Sequence, residues 1–151
     1  MKTMICFENL SYSQFNHEVT NEINKYTLLS NEEICISSLD QSYPFTNINT
    51  AVFSPLEMDS FNNGVIIANT IRNAENILGC SNNSKKALYL FDLDWMFYPM
   101  FYDDIYNILT EKNIKLILRS EDHIRPIYNI CKRKPDAVLN RFSLEGIWNL
   151  L

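Results

Sequence analysis

Two carboxylates one residue apart, Asp92 and Asp94, are the side chains of this sequence best placed to do chemistry. They follow an uninterrupted apolar run at residues 87–91, Ala-Leu-Tyr-Leu-Phe, long enough for a strand, too short for a helix, and without polar alternation. Such a run suits a strand buried on both faces of a parallel sheet. Residues 86–95 are therefore expected to supply the middle strand of the sheet and the turn at its carboxyl end, where open α/β sheets place their ligands. Paired carboxylates there could hold a divalent cation, divide acid and base roles, or accept backbone N–H groups and cap the turn. Capping is the commonest fate of a short acidic doublet, and neither a metal nor a cofactor is expected of this pair. Asp122 and His123 offer a second acid–base pair, but in the first turn after a strand they too read as a local cap.

A second group of residues suggests binding. Trp95, Phe97, Tyr98, Phe101 and Tyr102 crowd around Pro99, and a cluster of this kind reads as a partly exposed packing patch on which a protein partner or a second copy would sit. The one basic run, Lys132, Arg133 and Lys134, falls at an expected helix end, where it complements the helix dipole. Residues 1–110 carry 5 Lys and Arg against 13 Asp and Glu, and residues 111–151 carry 8 against 5. An acidic body with a mildly basic end does not predict nucleic-acid binding.

The elements that must position these groups follow from periodicity. Residues 3–7 read as a first buried strand, and 8–12 as its carboxyl-terminal loop. Ser11 and Gln14 have capping-box spacing, and Phe15, Val19, Ile23 and Tyr26 then line one face of a long helix. The loop contains no glycine, so the dinucleotide-binding form of this unit is not predicted. Short strands are expected at 33–37 and 50–53, with a loop at 40–46 and a polar turn at 59–63. Gly64 opens a strand at 65–68, Asn69 or Thr70 caps a helix through Ile71, Ala74, Ile77 and Leu78, and Gly79 marks a left-handed stop. After the central strand, Pro99 opens a helix whose Ile105, Ile108 and Leu109 face the sheet and which closes at Asn113. A strand at 114–118 leads to Ser120 and a helix beginning irregularly or at Pro126. A strand at 136–139 and a Ser143-capped helix with Leu144, Ile147, Trp148 and Leu151 complete the chain. This last helix is expected to dock back on its own sheet.

Strands alternating with helices imply a mostly parallel sheet with helices on both faces, a three-layer Rossmann-like α/β domain. At 151 residues, with 46% hydrophobic and 21% charged residues, the whole of 1–151 is expected to form that single domain. No apolar run approaches the roughly 20 residues of a membrane span, and residues 1–10 lack a leader pattern. Cys6, Cys35, Cys80 and Cys131 are too scattered for a zinc site and are expected to be reduced and structural. Abundant Asn and Ile with scarce Ala and Gly are the bias of an AT-rich coding sequence, common among bacterial viruses.

From Gly64 onward the chain resembles the amino-terminal half of a glycosyltransferase-B enzyme, in particular the small glycosyltransferase-like proteins of tailed bacteriophages. The residues that carry this are 86–95, then Leu116-Ile117-Leu118-Arg119-Ser120-Glu121-Asp122-His123, and the strand and helix from Pro135-Asp136-Ala137-Val138-Leu139-Asn140 to Leu151. In those enzymes the carboxyl-terminal domain binds most of the nucleotide sugar and the amino-terminal domain offers the acceptor surface. The resemblance implies a half domain that binds, builds a virion or assists a partner without complete catalysis of its own, in the host cytoplasm or the virion. The Phe-Leu flanked Asp92-x-Asp94 also resembles the first motif of haloacid-dehalogenase phosphatases. That family would imply a magnesium-dependent enzyme with Asp92 as nucleophile, Asp94 as acid and base, and Ser120 and a lysine such as Lys132 as further parts. A glycosyltransferase completed by a partner is the other enzymatic alternative.

Overall fold

The computed structural model describes residues 1–29, 32–40, 46–97 and 101–151. Among these residues seven strands form one all-parallel sheet: β1 (Lys2–Phe7), β2 (Glu33–Ser38), β3 (Ala51–Phe53), β4 (Val65–Ala68), β5 (Lys85–Leu90), β6 (Ile114–Leu118) and β7 (Ala137–Val138). Their order across the sheet is β3-β2-β1-β4-β5-β6-β7. This is the doubly wound arrangement, with the winding direction reversing between β1 and β4. β4 is thus the middle strand, and β5, expected there, lies one place to its side. The burial of β5 misled this reading, because every residue of β1 from Thr3, and all of β4, is equally buried.

Among the described residues, five α-helices cover the sheet: α1 (Gln14–Leu29), α2 (Ile71–Gly79), α3 (Tyr102–Thr110), α4 (Ile124–Cys131) and α5 (Leu144–Trp148). Alternation along each strand divides the core in two. Met4, Cys6, Ile66, Ala68, Leu88, Leu90, Leu116 and Leu118 face α2, α3 and α4. Ile5, Phe7, Val65, Ile67, Ala87, Tyr89 and Ile117 face α1 and α5. Each face is a continuous apolar layer, which is what makes a parallel sheet with both sides covered stable.

Several local signals resolve differently from their sequence reading. Ser13, not Ser11, caps α1: its Oγ accepts the Asn16 N–H at 3.0 Å, while Ser11 Oγ bonds Asn9. The buried Asn16 amide donates to the Asn9 and Ser11 carbonyls at 3.0 and 2.7 Å, and so fixes the loop that presents Ser13. Residues 55–60, the last two of which were expected to open a polar turn, form a 3-10 helix with a capping box between Ser54 and Glu57. Gly79 ends α2 without a left-handed residue, and among the described residues the positive φ angles belong to Asn63 and Lys132. α3 ends at Thr110, three residues before Asn113. Pro44 and the expected helix-opening Pro99 lie outside the described residues.

Other expectations hold. Thr70, Ser120 and Ser143 each cap the element that follows, and residues 121–123 form a 3-10 turn before α4, the irregular start that Pro126 imposes. The helix α5 docks on its own sheet: Leu144 and Ile147 are fully buried, the Leu144 N–H bonds Glu22, and Trp148 Nε1 donates to Thr3 Oγ1 at 3.0 Å. All four cysteines are free thiols. Burial pushes the Cys6 thiol up and takes Cys35 up to about 11, which keeps both neutral and inert. Among the described residues no helix is long and apolar enough to cross a membrane.

Candidate functional site

A cleft of about 660 Å³ opens at the carboxyl end of the sheet, beside the point where the winding reverses. Each wall has a local cause. β1 ends at Phe7 and hands Glu8 to the rim. β4 ends at Ala68, and Asn69 and Thr70 lead into α2, which contributes Arg72 and Glu75. β5 ends at Leu90, followed by Asp92, Asp94 and Trp95, with Phe101, Asp104 and Ile105 closing the far side from the start of α3.

The floor is braced by one buried polar residue. Asn73, 2% exposed, donates from Nδ2 to the Cys6 carbonyl at 3.2 Å and to Asn69 Oδ1 at 2.9 Å. Its own N–H donates to Thr70 Oγ1 at 3.2 Å. A single side chain thereby ties the end of β1, the turn after β4 and the first turn of α2, and the mouth of the cleft is held open on a rigid frame. A buried amide must find such partners, so its position is set as firmly as any core residue.

Asp92 and Asp94 both reach this cleft. Asp92 Oδ1 accepts the Asp94 N–H at 3.2 Å, which makes it an Asx-type cap of the 3-10 turn at Asp94–Phe97. Both carboxylates are exposed. Among the described residues no group of three His, Cys, Asp or Glu side chains is gathered as a metal would require. Neither Ser120 nor Lys132, the other parts of a phosphatase site, lines this cleft. Ser120 accepts the Asp122 N–H and caps the turn after β6, and Lys132 lies at the opposite end of α4 with its Nζ on the Asn129 carbonyl. Asp122 is exposed and His123 half-buried in that same turn.

The aromatic cluster divides. Trp95 is half-buried, packs on the core beneath α2 and α3, and lines the cleft; its Nε1–H is enclosed with no protein acceptor among the described residues. Phe97, Phe101 and Tyr102 are turned to solvent. Tyr98 lies outside the described residues. Of the basic run, Arg133 is engaged within the chain: its guanidinium donates to the carbonyls of Leu109 and Glu111 at the end of α3 and to Ile114 O at 2.7 Å, and it pairs with Asp136 at 2.8 Å. It closes the end of α3, not that of α4, the helix it follows in the sequence.

Glu8, Arg72, Glu75 and Asp104 were not singled out as site residues by sequence; the fold alone brings the three segments that carry them to one rim. Asn73 carried a faint signal, an amide on the apolar face of an amphipathic helix. No protein-family model matches the chain, and neither a curated protein nor a solved structure gives a significant match. What the chain does must therefore be argued from the cleft itself.

Proposed function

We propose that this chain is a binding domain, similar to the amino-terminal half of a glycosyltransferase-B enzyme, whose cleft receives a neutral, hydroxyl-rich ligand of the carbohydrate class. The observation that carries the reading is the lining: among the described residues, Glu8, Glu75, Asp92, Asp94 and Asp104 face Arg72 as the one cation of the cleft. Carboxylates only accept hydrogen bonds, and a rim of them repels phosphate while it suits the hydroxyl donors of a sugar. Trp95 and Phe101 add flat apolar surface for the C–H face of a pyranose, and the volume lies within the range of small-ligand sites, roughly 300–1,000 Å³.

The loop after β1, where doubly wound domains grip a pyrophosphate, contains no glycine. Nucleotide binding is thus disfavoured on the same grounds that favour an acceptor sugar. In the glycosyltransferase-B enzymes that the sequence resembles, the amino-terminal domain offers the acceptor surface, and this chain would play that part as a virion component or as an accessory to a modification system of a bacterial virus. Melting temperatures measured against a panel of oligosaccharides test the idea. A saccharide should raise the melting temperature of the parent and not of Asp94→Asn, while magnesium and manganese leave it unchanged. A rise with magnesium that disappears in Asp92→Asn would replace this reading with that of a metal-dependent enzyme.

A further inference from the structure

The large apolar side chains left in water are unevenly distributed, and many collect on one outer face. α3 and α4 pack side by side over β5 and β6. Around them Phe97 is 81% exposed, Tyr102 51%, and Tyr106 and Tyr128 43% each. Tyr102 and Tyr106 stack one turn apart with ring centroids at 6.5 Å, so the ridge they form is built within the helix and needs no partner to order it. Exposed rings concentrated in this way mark a protein–protein surface.

The charges around the rings identify what covers them. Because β5, β6 and β7 are parallel, the crossover helices α3 and α4 run in the same direction, from the carboxyl end of the sheet towards its amino end. The start of α3 is acidic, with Asp103 and Asp104 exposed, and the start of α4 follows the exposed Glu121 and Asp122. Beyond the far ends lie exposed lysines: Lys112 after α3, and Lys132 and Lys134 after α4.

We propose that this face docks a second copy of the chain through a two-fold axis perpendicular to the two helices. Such an axis reverses helix direction. Each helix then lies antiparallel against the same helix of the other copy, so that the acidic start of α3 meets Lys112 of the other copy, the acidic start of α4 meets its Lys132 and Lys134, and each contact occurs twice, as a self-complementary interface requires. The rings of Tyr106 and Tyr128 come together between the charged ends. A parallel apposition would instead set Asp103 and Asp104 against Glu121 and Asp122. The lysines at this end of the chain are thus assigned to self-recognition, while Arg133 between them stays within its own subunit.

Sedimentation velocity over a range of protein and salt concentrations tests the proposal. The expected result is a reversible dimer of twice the 17.7 kDa chain mass that weakens as salt rises. Asp103→Lys and Lys112→Glu should each weaken it several-fold, their combination should restore it, and Tyr106→Ser with Tyr128→Ser should leave monomer. All four side chains are exposed, and circular dichroism confirms that each variant is folded. A protein that is monomeric at every concentration would leave the face to a different partner and overturn the proposal. So would a dimer that ignores the tyrosine substitutions, or a charge-swapped pair that fails to recover it.

Discussion

Asp136 shows how much one exposed-edge carboxylate organises. It accepts the Leu116 N–H at 2.9 Å, Lys115 Nζ at 3.1 Å and Arg133 Nη2 at 2.8 Å, and its own N–H returns to Leu116 O. Its partial burial opposes ionisation, yet the backbone donor and the two cations outweigh that and hold its carboxyl below the usual carboxylate range. A depressed folded value stabilises the fold above the unfolded pKa and is lost as pH falls through the folded one. Asp136→Asn should therefore lower the melting temperature at neutral pH, and the gap between variant and parent should close as the solution is acidified through and below the ordinary carboxylate range. A gap independent of pH would contradict the assignment. Gly64 is constrained differently, by space: a Cβ there would lie 2.7 Å from the Lys2 carbonyl oxygen and 2.6 Å from the Phe61 ring. The ring can shift but the strand backbone of β1 cannot, so Gly64→Ala should destabilise by about 1–3 kcal/mol in urea unfolding. The sequence marks Gly64 only as the opening of β4; the reason for glycine appears when β1 is laid beside it.

Among the elements, α5 carries the clearest consequence. It is five residues long, too short to hold itself together, and contains Gly146. Its order comes from docking: Leu144 and Ile147 are fully buried beside Val19, Ile23 and Tyr89, and Tyr26 meets Trp148 edge-on at 5.1 Å. Removing residues 143–151 strips two fully buried side chains and three partly buried ones, and by transfer energies should cost roughly 3–6 kcal/mol or more. Urea unfolding of the truncated chain checks this, and a midpoint equal to that of the parent would contradict it. That α5 docks was legible, since Leu144, Ile147, Trp148 and Leu151 share one face. Strand positions and the apolar faces of α1, α2 and α3 were legible for the same reason, because periodicity records burial. The capping of α1 was not: two serines precede Gln14, and the choice of Ser13 is made by Asn16, which anchors the loop to carbonyls five and seven residues back.

At the scale of the molecule, the largest thing the sequence withheld is the reversal of winding between β1 and β4. Whether a crossover turns left or right of the strand it leaves is written in no local pattern, and β5 therefore read as the centre of a sheet whose centre is β4. The same reversal brings Glu8, Asn69 and Arg72 to the rim that Asp92 and Asp94 already marked, so the sequence named half of the cleft and the topology supplied the rest. The chain contains two tryptophans, and they make that cleft observable. Trp95 lines it, while Trp148 packs on the opposite face of the sheet with its Nε1–H held by Thr3 Oγ1. In a proton–nitrogen NMR spectrum their indole N–H signals are resolved and can be assigned with Trp95→Phe. Titration with oligosaccharides should shift the Trp95 signal and leave that of Trp148 in place; a Trp95 signal unmoved by every saccharide but shifted by a nucleotide or by magnesium would contradict the reading of this cleft as a sugar-binding site.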